Sequence, residues 1–312
     1  MLAVSQPTAG RYVHRKGEAI FLVATVVVFG LFAFTHWFRD NLLLVRLMKG
    51  ERADVRLAKT STASWIAGPA FWKAAPAANA ERLALLAREA WGHGKHDRAI
   101  EQMRTAADLV PTSGDYVNQL GIWRIDRKQI PALQADLQSI LTRAPLNATA
   151  LAYRGWTSHS PADLDRALAI DSDNAAALQF SARLLIETNG PRDRIEQLLL
   201  RGDRRWPHDP FFYYALAQFY IQAKDYAKAE PYVRRLADQR SDDAYAIEVV
   251  ADYQLKRKNY FAALDAYRAA ARLLPSEPRF EIGIGDALGH LGNPREAALA
   301  YARAASMENT KQ

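Results

Sequence analysis

A chain of 312 residues, 49% apolar and 24% charged, has the make-up of a folded protein of one extended or two compact domains, with no sign of long disorder. It contains no cysteine, which excludes disulfides, thiolate zinc sites and thiol nucleophiles together and leaves an oxidising compartment open. The net charge of +7 is concentrated, since residues 1–18 and 39–60 supply five of the seven charges; no basic face for nucleic acid follows, and basic flanks of this kind suit anionic lipid headgroups.

Between those flanks, residues 19–38 read AIFLVATVVVFGLFAFTHWF without a charge. As a helix this run covers roughly 30 Å, the thickness of a bilayer's hydrocarbon core. Trp37 and Phe38, next to Arg39, stand where interfacial aromatics belong. A cleaved signal peptide is the alternative, but the run exceeds the usual apolar region and no small-x-small cleavage site follows. The sequence therefore predicts an N-terminal tail (1–18) and a retained transmembrane helix (19–38). Lys and Arg residues nearly balance across the span: Arg11, Arg15 and Lys16 before it, Arg39, Arg46, Lys49 and Arg52 after it. Large domains cross whatever their charge. With the lack of cysteine, this favours a single-pass protein of a bacterial inner membrane with its C-terminal part in the periplasm.

Residues 39–79 are predicted as a juxtamembrane amphipathic helix and linker. Leu42, Leu43, Leu44, Val45, Leu47 and Met48 surround Arg46, a pattern for a helix that continues the span, lies on the membrane surface or packs on the following domain. Thr60, Ser61, Thr62, Ser64, Gly68, Pro69 and Pro76 then break the periodicity. Trp65, Ile66, Phe71 and Trp72 are too apolar for a free linker and are expected to dock on the domain or the lipid interface.

From residue 80 onward the chain repeats itself. Pro111, Pro145 and Pro275 each end a helical run, the first two 34 residues apart. A large apolar residue precedes a small one at Leu86-Ala87, Leu120-Gly121, Leu216-Ala217, Val250-Ala251 and Ile284-Gly285, with 34-residue steps inside each block. Ala99, Ala229, Ala263 and Ala297 each lie 13 residues after the large apolar residue of their own unit. Small residues at a fixed register let two helices of a hairpin cross closely, and the large ones beside them fill the surrounding holes. Gly94, Lys128, Asn189-Gly190, Lys224-Asp225, Asn259 and Gly292-Asn293 fall in the turns between helices.

This spacing and chemistry resemble the tetratricopeptide repeat family over about residues 80–309. DYAKAEPYVRRLA, NYFAALDAYRAAARLLP and NPREAALAYARAA look like second helices of that family. Units start near Ala80, Gly114, Ala148, Ala175, Pro210, Ala244 and Pro278, about seven in all; the one at 148–174 is truncated, and the one at 175 is imperfect. The resemblance implies an all-α fold, a right-handed α-solenoid of helix hairpins following the transmembrane helix. It also implies that first helices line a concave surface for partner proteins. Carried onto this sequence, the partner-binding groove would hold Asn118, Arg183, Phe211, Tyr214, Gln218, Tyr245, Glu248, Asp252, Lys256 and Asp286. It would be aromatic and amide-bearing at 211–218, then largely acidic at 248–286. The family's carboxylate clamp for chaperone tails is not expected, because Glu248 and Asp252, or Tyr214 and Gln218, stand at the matching places.

A search for chemistry returns little. His93, His96 and Asp97 are the one metal-like cluster, and without further ligands a polar turn is the better reading. No metalloprotease, serine-hydrolase or P-loop motif occurs. Gly283 and Gly285 fall inside a predicted helix and read as points of close helix approach. No catalytic residue, cofactor site or metal site is assigned. The expected function is a non-enzymatic, membrane-anchored scaffold that binds partner proteins and assists an envelope complex such as one for secretion or polysaccharide synthesis and export. Two alternatives stand beside it: a component that binds glycan or lipid through the aromatic groove, and an accessory subunit of a membrane enzyme complex.

Overall fold

The computed structural model describes residues 76–309. The expected membrane span at 19–38, the juxtamembrane segment and the aromatic cluster at 65–72 lie outside the described residues. Among the described residues, no helix is long and apolar enough to cross a membrane.

The described residues form fourteen α-helices and no strand. In chain order these are α1 (Pro76–Gly92), α2 (His96–Leu109), α3 (Gly114–Asp126), α4 (Ile130–Arg143), α5 (Ala148–Thr157), α6 (Pro161–Ile170) and α7 (Ala175–Glu187). There follow α8 (Arg192–Arg205), α9 (Pro210–Gln222), α10 (Tyr226–Gln239), α11 (Ala244–Lys256), α12 (Tyr260–Leu273), α13 (Pro278–His290) and α14 (Pro294–Asn309). Taken in pairs they make seven hairpins, numbered here 1 to 7. The described residues divide into two compact units, the first ending at Ala150 and the second beginning at Leu151.

Sequence sets the helix starts through caps. The residue ahead of a first helix repeatedly offers a side-chain oxygen to an otherwise unpaired N–H: Ser113 to Tyr116, Asn147 to Ala150, Asn174 to Ala177, Asp209 to Phe211, and Asp243 to both Tyr245 and Ala246. Pro210 and Pro278 then occupy the first helical position, where a missing N–H costs nothing. Residues 76–79, expected at the end of the linker, are helical in α1.

Within hairpins the turns are equally regular. Each of the seven carries one residue at positive φ: Gly94, Lys128, His159, Asn189, Lys224, Lys258 and Gly292. The N–H of the following residue reaches back five residues, as from Gln129 to the Arg124 carbonyl at 2.8 Å and from Asn259 to Gln254 at 2.9 Å. This left-handed cap satisfies the last carbonyls of the first helix and reverses the chain.

Packing inside the hairpins follows the small-residue register. In the first unit, Ala87, Ala99 and Gly121 are buried. In the second, Gly155, Ala182, Ala217, Ala251 and Gly285 are buried on the first helices, with Ala229, Ala263 and Ala297 on the facing second helices. The glycines mark the tightest places. A Cβ on Gly285 would lie 2.5 Å from the Tyr301 ring, one on Gly283 would lie 2.4 Å from Tyr267, and one on Gly202 would lie 2.0 Å from Phe212. Large side chains fill the rest, with Phe212, Tyr213, Leu216 and Tyr220 at the centre of one core cluster and Tyr267, Ile284 and Leu288 in the next. Hairpin 3 departs from the rule, since α5 and α6 have only ten residues each.

Candidate partner-binding face

In the second unit the first helices form a row, because α9 touches α11 and α11 touches α13 directly. Their caps fix which side chains share a face. The second residue of each helix is Phe211, Tyr245 and Arg279; the ninth is Gln218, Asp252 and Asp286, with Arg183 at the same place on α7. Tyr214 and Glu248 occupy the fifth position of α9 and α11.

The contacts run along this row. The Arg183 guanidinium lies 5.6 Å from the centre of the Phe211 ring. The Gln218 amide donates to the Tyr214 hydroxyl at 3.3 Å. Arg279 lies 5.4 Å over the Tyr245 ring, 3.6 Å from Glu248 and 3.1 Å from Glu277, so it clamps three neighbours at once. Asp252 accepts the phenolic proton of Tyr267, and Asp286 accepts that of Tyr301 at 2.7 Å. Phe211, Tyr214, Gln218, Glu248 and Asp252 are partly buried, whereas Arg183, Tyr245, Lys256 and Asp286 are exposed. Asn118 is exposed on α3 of the first unit.

Burial dominates the electrostatics. It pushes the Tyr214 hydroxyl up to about 12, helped by the negative charges of Glu248 and Asp243. It raises the Glu248 carboxyl, with Arg279 opposing and Asp252 reinforcing. It also raises Asp252, against the Tyr267 hydrogen bond and the Lys256 charge. An anionic Glu248 or Asp252 therefore holds its charge at a cost in this setting.

The row differs from the sequence expectation in one respect. The stretch 248–286 is not an open acidic surface: Arg279 stands beside Glu248, and tyrosines from the second helices hold Asp252 and Asp286. Arg279 was missed, although the signal was present, since it occupies the position in α13 that Phe211 and Tyr245 occupy in theirs. What remains available is a set of aromatic edges (Phe211, Tyr214, Tyr245) bordered by an amide, a guanidinium and two partly buried carboxylates. Such a surface binds by stacking and hydrogen bonding. In the first unit, His93 faces Glu89 at 3.7 Å and the His96 ring packs on Trp91 at 4.3 Å. Among the described residues, no three His, Asp or Glu side chains are placed to hold a metal ion.

Hairpins with repeated caps, turns and crossing residues define an α-helical repeat protein. Its kind follows from the match of residues 192–244 and 251–310 to the tetratricopeptide repeat family model: this part of the chain is built of tetratricopeptide repeats. No curated protein matches it. Among solved structures, PilF of Pseudomonas aeruginosa is 22% identical, with 60% of this chain and 88% of that one covered at a TM-score of 0.51; the likeness is one of fold. A tetratricopeptide repeat protein from Parabacteroides merdae is 16% identical, covering 73% of this chain and 93% of its own at 0.49. YrrB, described as having an unusual peptide-binding site, is 15% identical, covering 55% and 92% at 0.46.

Proposed function

We propose that this protein is a non-enzymatic scaffold, anchored in a bacterial inner membrane by residues 19–38, whose repeats stand in the periplasm and recruit a partner protein to an envelope complex. The supporting observation is the row of first helices in the second unit, where Tyr245 is 39% exposed beside Phe211 and Tyr214. Aromatic side chains with a polar tip, held by neighbouring helices, are typical anchors of protein interfaces. Arg279 and Gln218 supply directional hydrogen bonds beside them.

Purification of the full-length chain from gently solubilised membranes, followed by mass spectrometry, tests this reading. A Tyr214→Ala/Tyr245→Ala variant runs in parallel. A stoichiometric protein that accompanies the native chain and is lost from the variant supports the scaffold. If no protein accompanies either form, the scaffold reading fails, and a polysaccharide ligand for the same aromatic face is then examined by glycan binding. Protease added to spheroplasts should digest residues 76–309; protection until lysis would refute the periplasmic placement.

A further inference from the structure

Five first helices place a large apolar residue ahead of the small crossing residue: Leu86, Leu120, Leu216, Val250 and Ile284. Hairpin 4 has Ser181 there instead, followed by Ala182. Ser181 is only 5% exposed, and its hydroxyl has no hydrogen-bond partner. A buried, unpaired hydroxyl costs stability that a fitted partner would return. Immediately before it in the chain lies the shortened hairpin α5/α6.

The two departures meet at a cleft of about 210 Å³. Pro161 and Leu164 of α6 and Leu184 and Leu185 of α7 wall it, with Ser181 among them. At the edge, Arg194 pairs with Asp165. The cleft lies between α6, α7 and α8, and none of its lining residues belongs to the aromatic row described above. The corresponding place between α12, α13 and α14 has Ile284 and Leu288 where this one has Ser181 and Leu185. Arginines border it (Arg268, Arg272 and Arg303), so an apolar cleft with a buried hydroxyl is peculiar to hairpin 4 of this pair.

We infer that this cleft is a second docking site, which takes one tyrosine side chain from a partner segment. Its volume is below the roughly 300 Å³ at which small-molecule pockets begin, and suits a single large side chain. The leucines take the ring. The phenolic hydroxyl pairs with Ser181, which a phenylalanine or leucine would leave unpaired. The Asp165–Arg194 pair at the edge gives the segment's flanking residues a charged contact of either sign.

The test uses p-cresol, the tyrosine side chain as a free molecule, titrated into the full chain with methyl-labelled leucine and read by NMR. Leu164, Leu184 and Leu185 methyl signals should shift saturably. Toluene and the Ser181→Ala variant should each give binding about fivefold weaker. Ser181→Leu restores the residue type of the other hairpins, and should abolish the shifts and raise the melting temperature. Absent shifts, toluene binding as tightly as p-cresol, or unchanged shifts in Ser181→Leu would each overturn the inference. Ser181→Ala, which removes one oxygen, carries the test by itself if Ser181→Leu does not fold.

Discussion

Tyr267 donates its phenolic proton to Asp252, and 34 residues along the chain Tyr301 does the same to Asp286 at 2.7 Å. Each pair ties the second helix of a hairpin to its first, across 15 residues of sequence. Each ring also covers a glycine of a first helix, Tyr267 on Gly283 of the next hairpin and Tyr301 on Gly285 of its own. The tyrosines thus pack the hairpins and occupy carboxylates that would otherwise face the partner.

Removing the Tyr267 hydroxyl separates those two effects. Tyr267→Phe keeps the ring on Gly283 and leaves Asp252, partly buried, without its donor. Hydrogen bonds to charged groups contribute about 1.5–3 kcal/mol. Denaturant unfolding should show a loss of that order with an unchanged slope. No loss would mean that water serves Asp252 equally well.

Asp252 itself predicts an unusual pH response. Burial raises its folded-state pKa above the ordinary value, so the native chain binds this proton more tightly than the unfolded chain. The contribution of Asp252 to stability therefore grows as pH falls from neutrality through the raised value, and levels off below the unfolded value of about 3.9. Tyr267, Lys256 and Arg279 oppose the shift, while Asp286 adds to it. Asp252→Asn removes the costly charge and retains an acceptor for Tyr267. Its melting temperature should equal or exceed that of the native chain at pH 7, and the gap should close by pH 3.5. A gap independent of pH would show that charge is not its source.

Sequence periodicity carried the fold because every hairpin obeys the same local rules. The caps at Asn174, Asp209 and Asp243, the small residues at Ala217, Ala251 and Gly285, and the turn residues Gly94, Asn189 and Gly292 all have recognisable chemistry. The rest was hidden for physical reasons. Lysine gives no sign of a left-handed conformation, so Lys258 escaped notice and only its distance of 34 residues from Lys224 and Gly292 betrays it. The partners of Asp252 and Asp286 lie on another helix, and a search confined to first helices reads these acids as free. Ser181 is legible only as an interruption, a hydroxyl where five hairpins have a large apolar side chain.

The left-handed lysines define a stabilising substitution. An L-residue with a Cβ pays roughly 1–2 kcal/mol in this region, whereas glycine pays none. Lys258 has φ 65° at the turn of hairpin 6. Lys258→Gly should gain about 0.5–1 kcal/mol after allowing for the greater freedom of glycine in the unfolded chain, and Lys258→Ala should gain nothing. Equal effects of glycine and alanine, read from denaturant midpoints, would rule out backbone strain as the cause.

Two helical glycines should respond oppositely to the same change. Gly202 on α8 faces Phe212, and an added Cβ would lie 2.0 Å from the ring edge. Phe212 is fully buried in a dense cluster and has no direction in which to yield. Overpacking of this kind costs about 1–3 kcal/mol, so Gly202→Ala should lower the melting temperature of the second unit. Gly289 is exposed near the end of α13, with nothing within 4 Å of its would-be Cβ. Gly289→Ala should stabilise by about 0.5–1 kcal/mol through helix propensity. The signs are independent of any partner and can be read from thermal unfolding of the full chain. A gain at Gly202 would mean that α8 and α9 pack less closely than the Phe212 contact implies, while a loss at Gly289 would mean that the last turn of α13 is not a regular helix.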